Sequence, residues 1–163
     1  MNDAHLHMVV NHFPIIGIIL GLGVLIIGFL LKNSTIINTA YGLLIVSAIF
    51  AAISMATGDV AEEMVEDFPS IGKKIIHEHE EIAEKLALVL YVLGFISVTG
   101  LYLNIKKHSK SYLISVLAIA IGILGIYLAQ KTGTTGGKIR HTEIRTTSNA
   151  SAVMISDENE DND

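Results

Sequence analysis

The sequence predicts an all-α integral membrane protein, arranged as an up-down-up-down four-helix transmembrane bundle. The first observation is composition: 51% of the 163 residues are hydrophobic, only 17% are charged, and the mean hydropathy is +0.56. These values are more apolar than those of an ordinary soluble domain. The second observation is that four stretches lack Asp, Glu, Lys and Arg. Each is about as long as the roughly 20 helical residues that cross a hydrocarbon core.

The apolar stretches define four predicted spans: residues 13–31, 36–58, 86–105 and 111–130. Inside hydrocarbon each backbone N–H and C=O must be paired within its own segment, so stretches without strand-like alternation are expected to be helices. The links within the first and second pairs of spans are short, which joins neighbouring helices. The membrane domain is therefore expected to cover residues 1–145, with both termini and the long link at one end of the bundle.

The long link and the C-terminal tail carry most of the acidic side chains. The link at 59–85 is expected to lie at the membrane interface, with a short helix around Val60–Asp67, a turn at Pro69–Gly72, and then a helix that continues into the third span. The tail at 146–163 is polar, acidic and predicted to be disordered. The net charge of −5 argues against nucleic acid as a partner.

Lysines in the two short links indicate the orientation. Lys32, Lys106, Lys107 and Lys110 lie close to the spans, and short basic links tend to be cytoplasmic. The termini would then be on the periplasmic side of a bacterial inner membrane. The first apolar run follows no Lys or Arg and shows no small-residue cleavage site, so we interpret it as a permanent span and not as a secretory signal.

Six of the seven histidines fall at the end of the bundle that carries the termini: His5, His7, His12, His77, His79 and His141. The chain has no Cys, so a metal or cofactor would depend on imidazole, carboxylate, thioether or backbone groups. His108, at the other end, and His5 are expected to be surface residues.

His79 is expected on a buried helix face. It shares a stripe with apolar residues at three- and four-residue spacing: Ile75, Ile82, Ala83, Leu86 and Leu90. His77 falls on the opposite, charged face and is expected to be solvated. The position of His79 fits either a core histidine held by a hydrogen bond or a ligand of a metal or cofactor.

His12 lies at the start of the first span. Asn11 is expected to cap this helix, and Pro14 to lie in the first turn, where its missing N–H has no partner. The partial positive charge of a helix N-terminus favours the neutral imidazole, which is the ligating form. His12 is therefore a candidate ligand, with an interfacial anchor as the alternative. His7 precedes it by five residues, about 140° around a helix, so the two would share a site only if the chain bends between them.

The end of the fourth span supplies the remaining candidates. Gly136 and Gly137 permit a backbone reversal, which would fold His141 over the end of the bundle. Arg140 and Arg145 flank His141 and suit carboxylates or the propionates of a haem.

Four short motifs together resemble a known family. They are H…HFPI, from His7 to Ile15, at the start of the first span, TGDVAEE at the end of the second, EHEEIA before the third and GGKIRH after the fourth. The pattern is similar to that of the bacterial four-span membrane family known as domain of unknown function 2231, over roughly residues 5–145. The motif histidines match four residues of this chain: His7, His12, His79 and His141. Met8 follows His7 here, where the family often has proline. The resemblance implies a four-helix membrane fold, haem binding and an association with redox proteins.

The residues and the resemblance favour a membrane-embedded redox protein of cytochrome b type. Its haem b would lie between His12 and His79, because the first and third spans are diagonal in such a bundle and two neutral imidazoles suffice as axial ligands. His7 or His141 would replace either ligand or bind a propionate. The lipid bilayer and a redox protein such as a cytochrome c are the expected partners.

Two alternatives remain open. One is a single non-haem metal ion near the outer surface, held by His12, His79 and other motif histidines with the help of Asp59 or Glu63. The other is a small structural subunit of a larger membrane complex, as a homo- or hetero-oligomer. No span contains a charged residue, and such residues mark ion pathways in membranes. The sequence therefore favours an electron carrier or subunit over a stand-alone enzyme or transporter.

Overall fold

The computed structural model describes residues 3–65 and 73–141. The helices within them are α1 (Asp3–Val10), α2 (His12–Leu30), α3 (Ser34–Val65), α4 (Lys73–Ile105) and α5 (Ser111–Arg140), and this part contains no strand. Four of its helical segments are long and apolar enough to cross a membrane: His5–Leu30, Ser34–Gly58, Lys74–Ile105 and Ser111–Ile139. The predicted helical class with four such segments is confirmed. Arg145, the predicted turn at 69–72 and the tail at 146–163 lie outside the described residues.

The long helices pack in chain order. α2 contacts α3, α3 contacts α4, α4 contacts α5, and α5 packs back against α2, while α1 lies mainly against α3. The contact of α2 with α3 runs from Gly17 beside Ser47 to Gly28 beside Ile37, so residue numbers rise along one helix as they fall along the other. A Cβ added at Gly17 would lie 2.8 Å from that of Ser47. Glycine therefore sets how closely these two helices approach each other.

The apolar interior also contains a few polar groups in hydrogen bonds. Tyr41 is fully buried, and its hydroxyl lies 2.9 Å from Ser115 Oγ. Because Ser115 donates its own hydrogen to the Ser111 carbonyl, the Tyr41 hydroxyl donates to Ser115. Near the link between α4 and α5, Asn104 Nδ2 donates to Asn38 Oδ1 at 2.7 Å. These bonds connect α3 to α4 and α5 at the end of the bundle remote from the N-terminus.

α3 and α4 extend beyond the predicted spans. α3 continues without a break to Val65, so the separate helix predicted at Val60–Asp67 is, as far as it is described, the last part of α3. Residues 60–65 contain Ala, Glu and Met and neither Gly nor Pro, a composition that favours continuation of a helix. α4 already begins at Lys73. Both helices therefore project past their apolar segments at the end where the N-terminus lies.

α5 does not reverse at its glycines. It stays helical through Gly136 and Gly137 and ends at Arg140, so the predicted reversal is wrong. Glycine permits a reversal but does not require one. Here Gly136 instead allows α5 to lie close to His79, since a Cβ at this position would be 3.1 Å from the imidazole Cε1. His141 follows the helix in extended conformation and donates its N–H to Gly137 O at 2.9 Å.

Candidate functional site

His79 lies on the inward face of α4. It is half-buried and continues the stripe of Leu86 and Leu90, which are 5% and 1% exposed. Its Nδ1 lies 3.0 Å from Thr135 Oγ1 on α5. The Thr135 hydroxyl gives its own hydrogen to a backbone carbonyl of α5, so its oxygen accepts a hydrogen bond from His79 Nδ1–H. The predicted buried-face position of His79 is confirmed, and the lone pair of the neutral ring is on Nε2.

α3 holds His7 in the same way. His7 Nδ1 lies 3.1 Å from the Ser54 carbonyl oxygen and 3.2 Å from Thr57 Oγ1. A carbonyl oxygen only accepts, so Nδ1 carries the hydrogen of this half-buried imidazole. The lone pair of the neutral ring is again on Nε2, which is the form that binds a metal.

A glycine next to the threonine faces each of these two rings. Gly58 follows the threonine that contacts His7, and a Cβ added to it would lie 3.3 Å from His7 Cε1. Gly136 follows the threonine that contacts His79, and a Cβ there would lie 3.1 Å from His79 Cε1. We call this arrangement a Thr–Gly contact: the threonine hydroxyl lies at Nδ1 of the imidazole, and the glycine that follows the threonine lies at Cε1.

The two Thr–Gly contacts occupy equivalent places in the chain. His7 precedes α2 and meets the end of α3, whereas His79 lies near the start of α4 and meets the end of α5. The histidine and its threonine are 50 residues apart in the first half of the chain and 56 apart in the second. The chain therefore contains two helical hairpins that each position one imidazole through the same side-chain chemistry.

The two imidazoles come from separate hairpins and lie at the same end of the bundle. His7 is near enough to His79 for their charges to interact. Two like charges at such a range favour states in which at least one ring is neutral. The structure thus brings His7 and His79 together at one end of the bundle.

His12 is on the outside of the same end. It is exposed, and its Nδ1 donates to Met8 O at 3.0 Å, one turn earlier. Asn11 keeps helical backbone angles (φ −65°, ψ −18°) and its side chain makes no capping bond, so the predicted cap is wrong. A cap residue normally leaves the helical region. Because α1 and α2 are nearly continuous at Asn11, His7 and His12 stay about 140° apart around the helix axis. Of the two, only His7 lies on the inward side of its helix, as His79 does on α4.

Asn11 adds a polar group to the face of His7. It follows His7 by one turn, and its backbone N–H donates to His7 O at 2.9 Å. Its Oδ1 is buried and has no hydrogen-bond partner in the described part of the chain. A buried acceptor without a donor costs about 1–3 kcal/mol. This atom is therefore suited to accept a hydrogen bond from a bound water or ligand.

The other histidines are more exposed than His7 and His79. Exposed positions are occupied by the remaining histidines: His5, His77, His108 and His141. This confirms the predictions for His5, His77 and His108, and His77 Nδ1 lies 3.4 Å from Glu80 Oε2. Arg140 is the last residue of α5, and His141 follows it. Both follow Gly136 and Gly137 without a chain reversal.

Metal-ligand clusters were also predicted for this end. Within the described residues, no group of three or more His, Cys, Asp or Glu is placed to hold a metal ion. The side chains of Asp59 and Glu63, the predicted carboxylate ligands, lie outside the described part.

Sequence reasoning missed the Thr–Gly contacts. The dipeptide occurs at 57–58 and 135–136, but also at 99–100 and 132–133. Gly100 faces the Tyr41 ring, and Gly133 has no other group within 4 Å of an added Cβ. The dipeptide alone therefore does not identify a contact with histidine. Position near the C-terminal end of the second helix in each hairpin excludes the dipeptide at 99–100, but it does not separate 132–133 from 135–136.

Comparison with known proteins does not add an identity to this geometry. No protein-family model matches the chain, and no curated protein or solved structure matches it either. The resemblance to the four-span family stays a prediction from the motifs, and the site must be interpreted from its own residues.

Proposed function

We propose that this chain is a membrane-embedded electron carrier of cytochrome b type, with His7 and His79 as the two axial ligands of a haem b. The observation that carries the proposal is the pair of equivalent Thr–Gly contacts, each of which holds an imidazole through its Nδ1–H. His79 is retained from the sequence prediction. His7 replaces His12 as its partner, because His12 is on the exposed side of the helix.

Two imidazoles suffice as the protein ligands of a haem b. The porphyrin gives the iron four nitrogen ligands and leaves two axial positions, whereas a zinc ion takes three or four side-chain ligands. A ligating histidine almost always donates its second ring N–H to a carbonyl, carboxylate or water, which orients the ring and raises the basicity of the ligating nitrogen. The Nδ1–H of His7 on the Ser54 carbonyl and that of His79 on Thr135 match this requirement.

Other features of the site fit a bound group. Gly58 and Gly136 let α3 and α5 approach the two rings more closely than alanine would, and the buried Oδ1 of Asn11 is an acceptor in need of a donor. We retain Arg140, Arg145 and His141 as partners for the propionates. Arg140 follows the Thr–Gly contact of α5 by four residues, about one helical turn.

We further propose that the four long helices form an up-down-up-down bundle in a bacterial inner membrane, with the termini in the periplasm. The reversed order of contacts between α2 and α3 supports this topology. Large apolar side chains on the outside of the bundle support insertion, since Leu88, Phe95 and Leu113 are 63%, 75% and 60% exposed and suit lipid better than water. A haem at this end would exchange electrons with a periplasmic protein such as a cytochrome c.

The experiment is the absorption spectrum of the full chain, produced with haem supply, purified in detergent and measured before and after dithionite. We expect one haem b per chain with a low-spin spectrum and sharp α and β bands in the reduced form. His7→Ala and His79→Ala are each expected to abolish the low-spin spectrum, and added imidazole is expected to restore it. His12→Ala and His77→Ala are matched controls at exposed positions of the same end and are expected to keep it.

Three outcomes would contradict the proposal. If the protein is colourless after haem supply, it does not bind haem. Stoichiometric metal in such protein would support a non-haem site instead. An unchanged low-spin spectrum in both His7→Ala and His79→Ala would show that these histidines are not the ligands. Loss of the spectrum in His12→Ala but not in His7→Ala restores the pairing predicted from sequence. Imidazole rescue separates loss of a ligand from loss of the fold, because a misfolded variant does not recover its spectrum.

A further inference from the structure

We infer that a groove between α4 and α5 binds the headgroup of an anionic phospholipid of the phosphoglycerol type. This inference rests on the proposed insertion into a membrane and is independent of haem binding. The groove encloses about 340 Å³. Its wall includes the exposed residues Lys131 and Thr134, and also Thr135, whose hydroxyl contacts His79.

One stripe of α5 provides most of the groove wall. Its four residues follow each other at spacings of four, three and four: Tyr127, Lys131, Thr134 and Lys138. Such spacing places side chains on a single helix face, over about 16 Å of axis. The stripe therefore presents an aromatic ring, a cation, a hydroxyl and a second cation in order from the apolar segment outwards.

The charges of the groove fit a monoanionic headgroup. Lys131 supplies a positive charge to the groove wall, where Lys138 is a second cation and Glu78 of α4 is an anion. A phosphodiester carries one negative charge and would lie beside Lys131. The hydroxyls of a glycerol headgroup can donate to the Glu78 carboxylate. Choline offers no hydrogen-bond donor to this carboxylate, whereas the ethanolamine ammonium does. Both of these lipids are neutral overall, however, and so gain less from the two lysines than an anionic lipid does.

The apolar end of the groove suits the rest of the lipid. Ile82 forms part of the wall, and one turn deeper in α5 the side chains of Ile123 and Leu124 are 59% and 50% exposed. Lys131 Nζ lies 5.7 Å from the centroid of the Tyr127 ring. Tyrosine is enriched at the level of lipid headgroups, and lysine extends its ammonium group from apolar surface towards them. A lipid in this position would have its phosphate at the lysine and its acyl chains along α5.

The test is native mass spectrometry of the full chain in detergent, titrated with phosphatidylglycerol, phosphatidylethanolamine and phosphatidylcholine of identical acyl chains. We expect phosphatidylglycerol to bind at least fivefold more tightly than the other two. Lys131→Gln is expected to lower its affinity about fivefold, the contribution typical of one basic residue at an anionic surface. Lys107→Gln, an exposed lysine at the opposite end, is the matched control and should leave the affinity unchanged.

Equal binding of the three lipids, or an equal loss in Lys107→Gln, would overturn the inference. Competition by soluble glycerol phosphate at the concentration of the lipid would also overturn it, because the site would then serve a free phosphate ester. Flotation of the unmodified chain with carbonate-washed liposomes tests insertion separately. A chain that floats but shows no preference for phosphatidylglycerol contradicts the groove alone, and one that does not float contradicts the membrane proposal beneath it.

Discussion

Replacement of Gly136 by alanine tests whether the close approach of α5 to His79 positions the imidazole. The added Cβ would lie 3.1 Å from Cε1, whereas ordinary contact begins at 3.4 Å, so the ring must retreat by 3.4 − 3.1, about 0.3 Å or more. That movement loosens the 3.0 Å bond from His79 to Thr135. Gly133→Ala is the matched control, since the same substitution one turn earlier meets nothing within 4 Å.

The two variants are expected to differ in stability by about 1 kcal/mol. Alanine in place of glycine within a helix contributes up to about 1 kcal/mol, and Gly133→Ala should show this gain. In Gly136→Ala, the weakened hydrogen bond costs about 0.5–1.5 kcal/mol, so that gain and loss nearly cancel. Unfolding followed by circular dichroism in mixed micelles of mild detergent and dodecyl sulfate measures the difference.

The imidazole itself provides a second measurement. Nitrogen NMR of labelled His79 should report the Nδ1–H form in the unmodified chain and in Gly133→Ala. A shift of the ring signals is expected only in Gly136→Ala. If Gly136→Ala gains as much stability as Gly133→Ala and leaves the His79 signals in place, the contact described here does not position the ring.

Two further substitutions test the polar and close-packed contacts. Thr135→Val removes the hydroxyl that accepts the hydrogen bond from the imidazole and is expected to destabilise the chain by about 1–2 kcal/mol. Thr134→Val, at an exposed position, should change stability by less than about 0.5 kcal/mol. Equal effects of the two substitutions in the same micelle assay would rule out a role for the hydrogen bond. Gly100→Ala puts a Cβ into the buried Tyr41 ring and should lower the free energy of unfolding by about 1–3 kcal/mol. Gly42→Ala, with nothing within 4 Å of the added Cβ, should not lower it. A Gly100→Ala chain as stable as the unmodified one would contradict this packing.

The helices could be predicted from sequence because hydrocarbon leaves an apolar segment no alternative to helix. The ends of the helices could not be predicted in this way, because the need to pair every backbone group within the segment does not apply outside hydrocarbon. Residues 60–65 continue α3 on local helix propensity, and Gly136 stays helical because packing against His79 decides its conformation. Apolar periodicity locates the core but does not locate the end of a helix.

The candidate site was predictable in part for a similar reason. His79 could be placed because it continues an apolar stripe, and the structure confirms the face. The choice between His7 and His12 depended on the backbone angles of one residue, Asn11, which both a helix cap and a helix interior accommodate. The structure gives it φ −65°, and that one conformation puts His7 inside and His12 outside.

The equivalence of the two Thr–Gly contacts has a consequence for biogenesis. Each imidazole is oriented by helices of its own hairpin: α1 with α3 for His7, and α4 with α5 for His79. In the proposed membrane topology, half of the pair can therefore form once α1 and α3 have inserted, before α4 and α5 pack against them. The two hairpins then dock through the α3–α4 and α2–α5 contacts. Docking brings together His7 and His79 with both rings already oriented, so that neither has to be repositioned afterwards.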